Sequence, residues 1–178
     1  MIPHRPFDPS LLDAIERSVV EWSGMAYRQV FAGTDVLRAN TRGARWNPPG
    51  EEAVYCSLHS RTAAAEIDHL IGRQLVPIRK SRVTHELSVT LARVADLRNL
   101  GALESCDITP DSLMGEDLSA PQLVGGAVAW LECAGLLIPS AREGGDNLVI
   151  FVNRMGPADT VDPVSEETYS PTDHWGGD

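Results

Sequence analysis

The strongest constraint on the fold lies in residues 42–66, where a loop, a strand and a helix are predicted one after another. Residues 42–50 contain two glycines and two prolines, which is typical of a loop. Residues 53–57 form an apolar run of strand length. From Ser60, a residue type suited to the N-cap, an alanine-rich pattern predicts a helix that ends near Gly72. We therefore expect these three elements to meet at one edge of a sheet.

The predicted helix places Glu66 beside an apolar stripe. That stripe recurs at helical spacing and consists of Ala63, Ile67, Leu70 and Ile71. A carboxylate at the border of a core has two interpretations: a structural group that pairs with Arg73 or with solvent, or a functional group held on a rigid element. Taken alone, Glu66 favours the structural interpretation.

Arg45 makes the functional interpretation of this stretch stronger. It lies in the predicted loop beside Trp46 and Asn47, where a guanidinium can grip a phosphate or carboxylate through two parallel hydrogen bonds. The alternative is a solvated arginine that stacks on Trp46. An anion-binding arginine, the aromatic Tyr55 and the Glu66 carboxylate on one wall would suit a nucleotide-sugar substrate.

These residues resemble the RES-domain family, toxins of bacterial toxin–antitoxin pairs. The family pattern reads as Arg-Trp-Asn, a tyrosine that ends a short strand, and a helix that bears glutamate. Arg45, Tyr55 and Glu66 match this order, ten and eleven residues apart. Further positions that look like the family are Glu21, Trp22, Tyr27, Arg28 and the run Ile138, Pro139, Ser140, Ala141. The resemblance covers about residues 20–153.

The resemblance implies an ADP-ribosyltransferase-like fold and cleavage of NAD between nicotinamide and ribose, by hydrolysis or phosphorolysis. It implies that Glu66 holds the ribose and stabilises its developing positive charge. It also implies that Arg45, with Arg28, clamps the pyrophosphate. Tyr55 would orient the nicotinamide end, and the remaining substrate contacts would come from Trp46, Asn47 and Ser140. Two rival functions stay open: a transferase that modifies a specific protein, and an inactive nucleotide-binding module of the same fold.

The resemblance also bears on partners and cofactors. NAD would be a substrate, so neither a cofactor nor a metal is expected, and inorganic phosphate is a candidate second substrate. The implied partner is an antitoxin with a helix-turn-helix DNA-binding domain that plugs the NAD cleft. The toxin itself would bind no nucleic acid and no membrane, and a homo-oligomer within the toxin–antitoxin complex stays open.

Charge and cysteine content narrow the functional class further. The net charge of −10 argues against general nucleic-acid binding. Residues 27–45 nevertheless carry four arginines against one aspartate, which suits a small anion. Three widely spaced cysteines argue against a disulfide framework or a zinc site and fit a reducing compartment. With neither a signal-peptide pattern nor a run long enough to span a bilayer, we expect a cytoplasmic protein.

The remaining pattern alternates helices and strands irregularly and predicts a single compact α+β domain with a mixed, partly antiparallel sheet and flanking helices. Helices are expected from Asp8 through about Val20 and from Ser119 to Gly135, with short helical turns over residues 98–118. Strands are expected at residues 25–31, 83–91, 136–138 and 148–152, and a long loop at residues 32–50. Gly125 and Gly126 predict close packing of the second helix against a neighbour.

The C-terminal tail and two histidines receive no catalytic role from the sequence. Residues 1–156 are interpreted as the NAD-cleaving domain, and residues 157–178, with six acids and no Lys or Arg, as a mobile or loosely packed acidic tail. His85 falls on the inward side of its predicted strand, where we expect a half-buried histidine without a partner. His59 falls in the turn before the Glu66 helix, where a cap or surface role is expected.

Overall fold

The fold is α+β, as the sequence predicts, with a mixed sheet and a few helices. The computed structural model describes residues 6–59, 81–140 and 145–169. Within this part, the helices are α1 Pro9–Glu16, α2 Leu100–Ser105, α3 Pro110–Met114 and α4 Ser119–Trp130, with a 3-10 turn at Val152–Arg154. The strands are β1 Val19–Phe31, β2 Ala53–Ser57, β3 Arg82–Asp96, β4 Gly135–Pro139, β5 Asp146–Phe151 and β6 Thr160–Tyr169. The narrower ADP-ribosyltransferase-like assignment stays a prediction.

The six strands form one sheet in the order β1-β2-β5-β4-β3-β6. Because β1 also pairs with β3, five of the strands close into a circuit, and β6 extends β3 outside it. Only the β3–β4 pairing is parallel among the described strands; the others are antiparallel. β2 meets β1 at a single registered pair, Tyr27 with Ser57, so the circuit is joined loosely at that corner.

Strands β2, β4 and β5 are buried on both faces, and their alternation separates two cores. One face packs on the helices and forms the helix-side core, which includes Ile15, Trp46, Val128, Leu136 and Phe151. The other face is enclosed by strands and forms the strand-side core, which includes Ala26, Val54, Leu87, Leu137 and Ile150. Burial on both faces explains the short continuous apolar runs of these strands.

The start of α1 agrees with its predicted cap, whereas its end comes early. Asp8 Oδ1 accepts a hydrogen bond from the backbone N–H of Ser10 at 2.7 Å, and Pro9 occupies the first helical position. The helix stops at Glu16 because Val19 and the next residue already pair with β3, in register with Ala95 and its neighbour. The prediction that the helix continues to about Val20 was therefore wrong.

Helix α4 packs against the 42–50 loop as its paired glycines predicted. A Cβ on Gly125 would lie 1.6 Å from the backbone oxygen of Trp46, so only glycine fits there. A Cβ on Gly126 would meet the Pro48 side chain at 3.3 Å. The predicted end of this helix was wrong. It stops at Trp130, and Gly135 instead opens β4.

The expected loose tail is wrong for residues 160–169. These residues form β6, which pairs with β3 from Thr160 opposite Thr90 to Tyr169 opposite Arg82. Val161 packs on the strand-side core, while the acids stay in solvent on the edge strand, where charge discourages edge-to-edge association. The sheet therefore continues across the predicted boundary at residue 156, and residues 170–178 lie outside the described residues.

The three cysteines are free and buried, divided between the two cores. Cys56 lies in the strand-side core, and Cys106 and Cys133 lie in the helix-side core. Burial raises the pKa of the Cys56 thiol to about 12 and those of the other two to about 11. Each thiol therefore stays protonated near neutral pH.

No helix in the described ranges is both long and apolar enough to cross a bilayer.

Candidate functional site

The predicted site residues that the structure describes fall on opposite faces of β2. Tyr55 faces the helix-side core, together with Arg45 and its loop neighbours. The next residue, Cys56, faces the strand-side core, and Arg28 from β1 lies close enough to interact with it electrostatically. The residues expected on one wall thus form two groups. The loop group comprises Arg45, Trp46, Asn47 and Tyr55. The inward group comprises Arg28 and the residues that lie in one row with it on the neighbouring strands.

The loop group is held by a closed set of hydrogen bonds. The Tyr55 hydroxyl donates to Asn47 Oδ1 at 2.7 Å and accepts from the Trp46 backbone N–H at 3.0 Å. Asn47 Nδ2 donates to the backbone oxygens of Asn40 at 3.1 Å and Glu51 at 2.9 Å. These bonds fix the Arg-Trp-Asn loop to the helix-side face of β2.

Burial limits what Trp46 and Asn47 can do for a ligand. Trp46 is 2% exposed and Asn47 is 0% exposed. The Asn47 amide is also fully used within the loop, with its oxygen bound to Tyr55 and its nitrogen shared between two carbonyls. Both side chains hold the loop in this arrangement, and direct contact with a ligand would require the loop to open.

Arg45 bridges the loop to α3. Its Nη1 donates to the backbone oxygen of Ser112 at 3.2 Å, and its Nη2 donates to that of Gly115 at 2.8 Å. Neither of the two predicted arrangements, stacking on Trp46 or a free anion clamp, describes this geometry. Two of five guanidinium N–H groups are bound to carbonyls, so any anion contact must use the others.

Tyr55 acts in this network as a neutral phenol. Burial raises its pKa to about 12, and the hydrogen bonds from the loop and the charge of Arg45 only partly oppose that rise. The hydroxyl is occupied both as donor and as acceptor. Its role in the structure is to hold Asn47 and the Trp46 backbone in place.

Tyr55→Phe is expected to destabilise the fold by about 1–3 kcal/mol, since the Asn47 oxygen and the Trp46 N–H lose their buried partner together. Thermal and urea unfolding of the purified variant measure this loss. The matched control is Tyr27→Phe, because Tyr27 donates only to the half-buried Glu86 carboxylate at 3.2 Å. Equal stability of the two variants would contradict the proposed role of the Tyr55 hydroxyl.

Arg28 is the member of the inward group whose donors are incompletely used. It lies on the same face of β1 as the buried residues Ala26 and Val30. Nη2 donates to the backbone oxygen of Arg38 at 2.8 Å, whereas Nη1 is buried and has no hydrogen-bond partner in the described part of the chain. Burial lowers the pKa of this guanidinium. A buried, unsatisfied cationic donor is costly unless a ligand satisfies it.

Of the two remaining predicted site residues, Ser140 lies within the described part of the chain and Glu66 does not. Ser140 follows β4, and its backbone N–H donates to the backbone oxygen of Gly145, just before β5, at 2.8 Å. The same end of β5 pairs with Ser57, which in turn pairs with Tyr27 next to Arg28. The topology therefore brings Ser140 to the edge that carries the inward group. Glu66 and its predicted helix lie outside the described residues.

Sequence reasoning missed two contacts. Gln122 Nε2 on α4 donates to the backbone oxygen of Ala44 at 2.9 Å and so supports the loop. His85, expected without a partner, lies 3.6 Å through Nδ1 from the carboxylate of Glu166 on β6. The signal for this pair was the alternation of His85 with apolar neighbours, but the partner strand was not recognised.

The structure can now be compared with known proteins. NAD(+) phosphorylase MbcT from Mycobacterium tuberculosis is 32% identical to this chain over 152 residues, which span 80% of this chain and 81% of MbcT. MbcT from Mycobacterium bovis matches to the same extent. The crystal structure of the M. tuberculosis MbcT–MbcA toxin–antitoxin complex contains a chain similar in fold, with a TM-score of 0.82 and 28% sequence identity. That similarity covers 93% of this chain and 94% of the other.

The match to a known protein family covers the loop group, the inward group and strand β6. Residues 21–172 match the RES domain, so the match begins before Arg28 and continues past the strand that was expected to be a loose tail. On the strength of this match, the chain belongs to the RES domain family.

Proposed function

We propose that this protein is the toxin of a toxin–antitoxin pair and degrades NAD by cleaving the bond between nicotinamide and ribose, with inorganic phosphate as acceptor. The observation that carries the proposal is the similarity to NAD(+) phosphorylase MbcT over 80% of this chain. The buried, unsatisfied Nη1 of Arg28 supports it independently, because it suits an anionic ligand.

The chemistry requires a group that stabilises positive charge on the ribose. Cleavage of a glycosidic-type bond passes through an oxocarbenium-like transition state. We assign this task to the Glu66 carboxylate, which would also hold a ribose hydroxyl. Electrostatic stabilisation of developing charge is often the largest contribution a single group makes to catalysis. The C–N bond breaks, nicotinamide leaves with its electron pair, and a phosphate oxygen bonds to the anomeric carbon to give ADP-ribose with a phosphate at that carbon.

Binding of the pyrophosphate is assigned first to Arg28 and second to Arg45. Arg28 has a buried donor without a partner in the described residues, whereas Arg45 has two donors bound to carbonyls of α3 and the residue that follows it. Tyr55, Trp46 and Asn47 would then act by holding the loop, and Ser140 by a hydrogen bond to the ribose or the amide. Neither a metal nor a resident cofactor has a role in this scheme, because NAD is the substrate.

The proposed partner is an antitoxin that carries a helix-turn-helix DNA-binding domain and covers the NAD site, with the complex in the cytoplasm. Support comes from the similar chain, which was crystallised as a toxin–antitoxin complex. The toxin would reach DNA only through this partner, consistent with its net charge of −10.

One assay tests the activity and separates the rival functions. Purified protein is incubated with NAD, with and without inorganic phosphate, and the products are identified by mass spectrometry. Nicotinamide plus phosphorylated ADP-ribose, formed only with phosphate, is the expected result. ADP-ribose formed without phosphate would replace phosphorolysis by hydrolysis, an ADP-ribose mass added to protein would indicate a transferase, and unchanged NAD would contradict the proposal.

Arg28→Met is expected to raise the KM for NAD about tenfold or more, since a charge-assisted hydrogen bond contributes about 1.5–3 kcal/mol. The control is Arg38→Met, which removes an exposed charge but keeps the backbone carbonyl that Arg28 uses. Steady-state kinetics on folded protein give the comparison. If both variants raise KM equally, bulk charge rather than the Arg28 contact is responsible.

A further inference from the structure

The inward group extends across three strands. Arg28 on β1 lies directly opposite His85 on β3, which lies directly opposite Glu166 on β6. Directly opposed residues in antiparallel strands point to the same face, with Cβ atoms about 5 Å apart. An arginine, a histidine and a glutamate therefore stand in one row on the same face of the sheet.

His85 is placed to contact what Arg28 binds. Its side chain is 14% exposed, so it is mostly enclosed yet still reachable. Its Nδ1 lies 3.6 Å from a Glu166 carboxylate oxygen, whose own side chain is 69% exposed. With Nδ1 facing this carboxylate, Nε2 is the ring nitrogen that can donate to a ligand.

The charges around this row favour an anion. Arg28 is a buried cation with an unused donor, and the ring directly opposite it on β3 offers a further nitrogen donor rather than a countercharge. Among the described residues, the ionisable groups whose charge acts on Arg28 are Asp35 and the buried Cys56 thiol. An anion bound by the buried Nη1 of Arg28 would lie within reach of the imidazole on the opposed strand.

We propose that Arg28 and His85 together form one receptor for phosphoryl oxygens, with Glu166 as the residue that positions the imidazole. This inference deepens the proposed function, on which it rests, and it makes β6 a structural support of the substrate site. The phosphoryl group could come from inorganic phosphate or from the pyrophosphate of NAD, and both present the same chemistry to the two donors.

Kinetics of His85→Ala and His85→Gln test the receptor. With each substrate varied in turn, His85→Ala raises one KM about tenfold while kcat stays within twofold, and His85→Gln, which keeps an N–H donor, recovers part of the loss. A rise in the KM for phosphate identifies the second substrate as the ligand, and a rise in the KM for NAD identifies the pyrophosphate. Unchanged KM values, or a loss confined to kcat, would overturn the proposal.

The positioning role has a matched pair of variants. Glu166→Gln raises the same KM about threefold, as expected for loss of an exposed ion pair. Glu167→Gln, the adjacent residue on β6, pairs opposite Thr84 on the other face and leaves both KM values unchanged. If the two substitutions change the KM equally, the change is caused by net charge, and Glu166 does not belong to the site.

Binding without turnover separates this inference from the proposed function. Calorimetric titration of the full chain with inorganic phosphate and, separately, with pyrophosphate measures the receptor even if NAD is not cleaved. Wild-type protein binds at least one of the two anions, and His85→Ala weakens that binding about tenfold. Absence of binding by folded wild-type protein, or equal affinity of the folded variant, would overturn the receptor whatever the outcome of the NAD assay.

Discussion

Gly125→Ala is expected to destabilise the protein by about 3 kcal/mol or more, near the upper end of the cost of overpacking a core. The added methyl group would lie 1.6 Å from the backbone oxygen of Trp46, and neither atom can rotate away. Either α4 or the Arg-Trp-Asn loop must move. Urea unfolding measures the loss of stability, and NAD turnover of the remaining folded protein shows whether the loop matters for activity.

Gly126→Ala is the control for this substitution. Its methyl group would meet only side chains, Pro48 Cγ at 3.3 Å and Phe7 Cζ at 3.4 Å. Alanine also favours the helix by up to about 1 kcal/mol relative to glycine. We therefore expect a change of no more than about 1 kcal/mol in the free energy of unfolding. Equal destabilisation by the two substitutions would show that α4 does not rest on the Trp46 backbone.

Glu66→Gln is expected to lower NAD turnover a hundredfold or more without changing the melting temperature. The amide has the size of the carboxylate but cannot offset positive charge on the ribose, and loss of one such electrostatic contact costs about 3 kcal/mol in the transition state. Single-turnover measurements at saturating NAD isolate the chemical step.

The control for Glu66→Gln is Glu52→Gln, which makes the same change at an exposed residue just before β2. It should retain wild-type turnover. Near wild-type turnover by the Glu66 variant would remove this residue from the mechanism and leave the inward group to account for any NAD cleavage.

Local patterns in the sequence predicted most elements because their signals are local. The proline at the start of α1, the glycines in the 42–50 loop and the alternation around Leu87 act on their own neighbours. The close packing at Gly125 was also predictable, because a glycine inside an apolar helix indicates that a neighbouring segment approaches closely. Such signals indicate which elements form and which side of each is apolar.

Strand β6 could not be recognised from its own residues. It contains Pro163 and a run of acids, both typical of a loop. As an edge strand it needs few apolar side chains, because β3 provides the hydrogen-bond partners. The partner of His85 was missed for the same reason, since it lies on a strand defined by pairing rather than by pattern.

The division of the predicted site into the loop group and the inward group could not be predicted from the sequence either. Arg45 and Arg28 look alike as loop and strand arginines, yet one donates to carbonyls of α3 and the residue after it while the other keeps a buried donor unused. Which carbonyls lie near a guanidinium depends on how distant segments pack. The family pattern marked both arginines, but only the packing distinguishes a structural bridge from a candidate ligand contact.

The three buried thiols lie in two different cores, so their rates of alkylation can report the local opening of each core. Cys56 samples the strand-side core, while Cys106 and Cys133 sample the helix-side core. A thiol in a closed core is alkylated only when its surroundings open, so labelling rates at each position measure opening free energies separately. Mass-resolved alkylation of the native protein would therefore show, without any mutation, whether the helices detach from the sheet before the strand circuit opens.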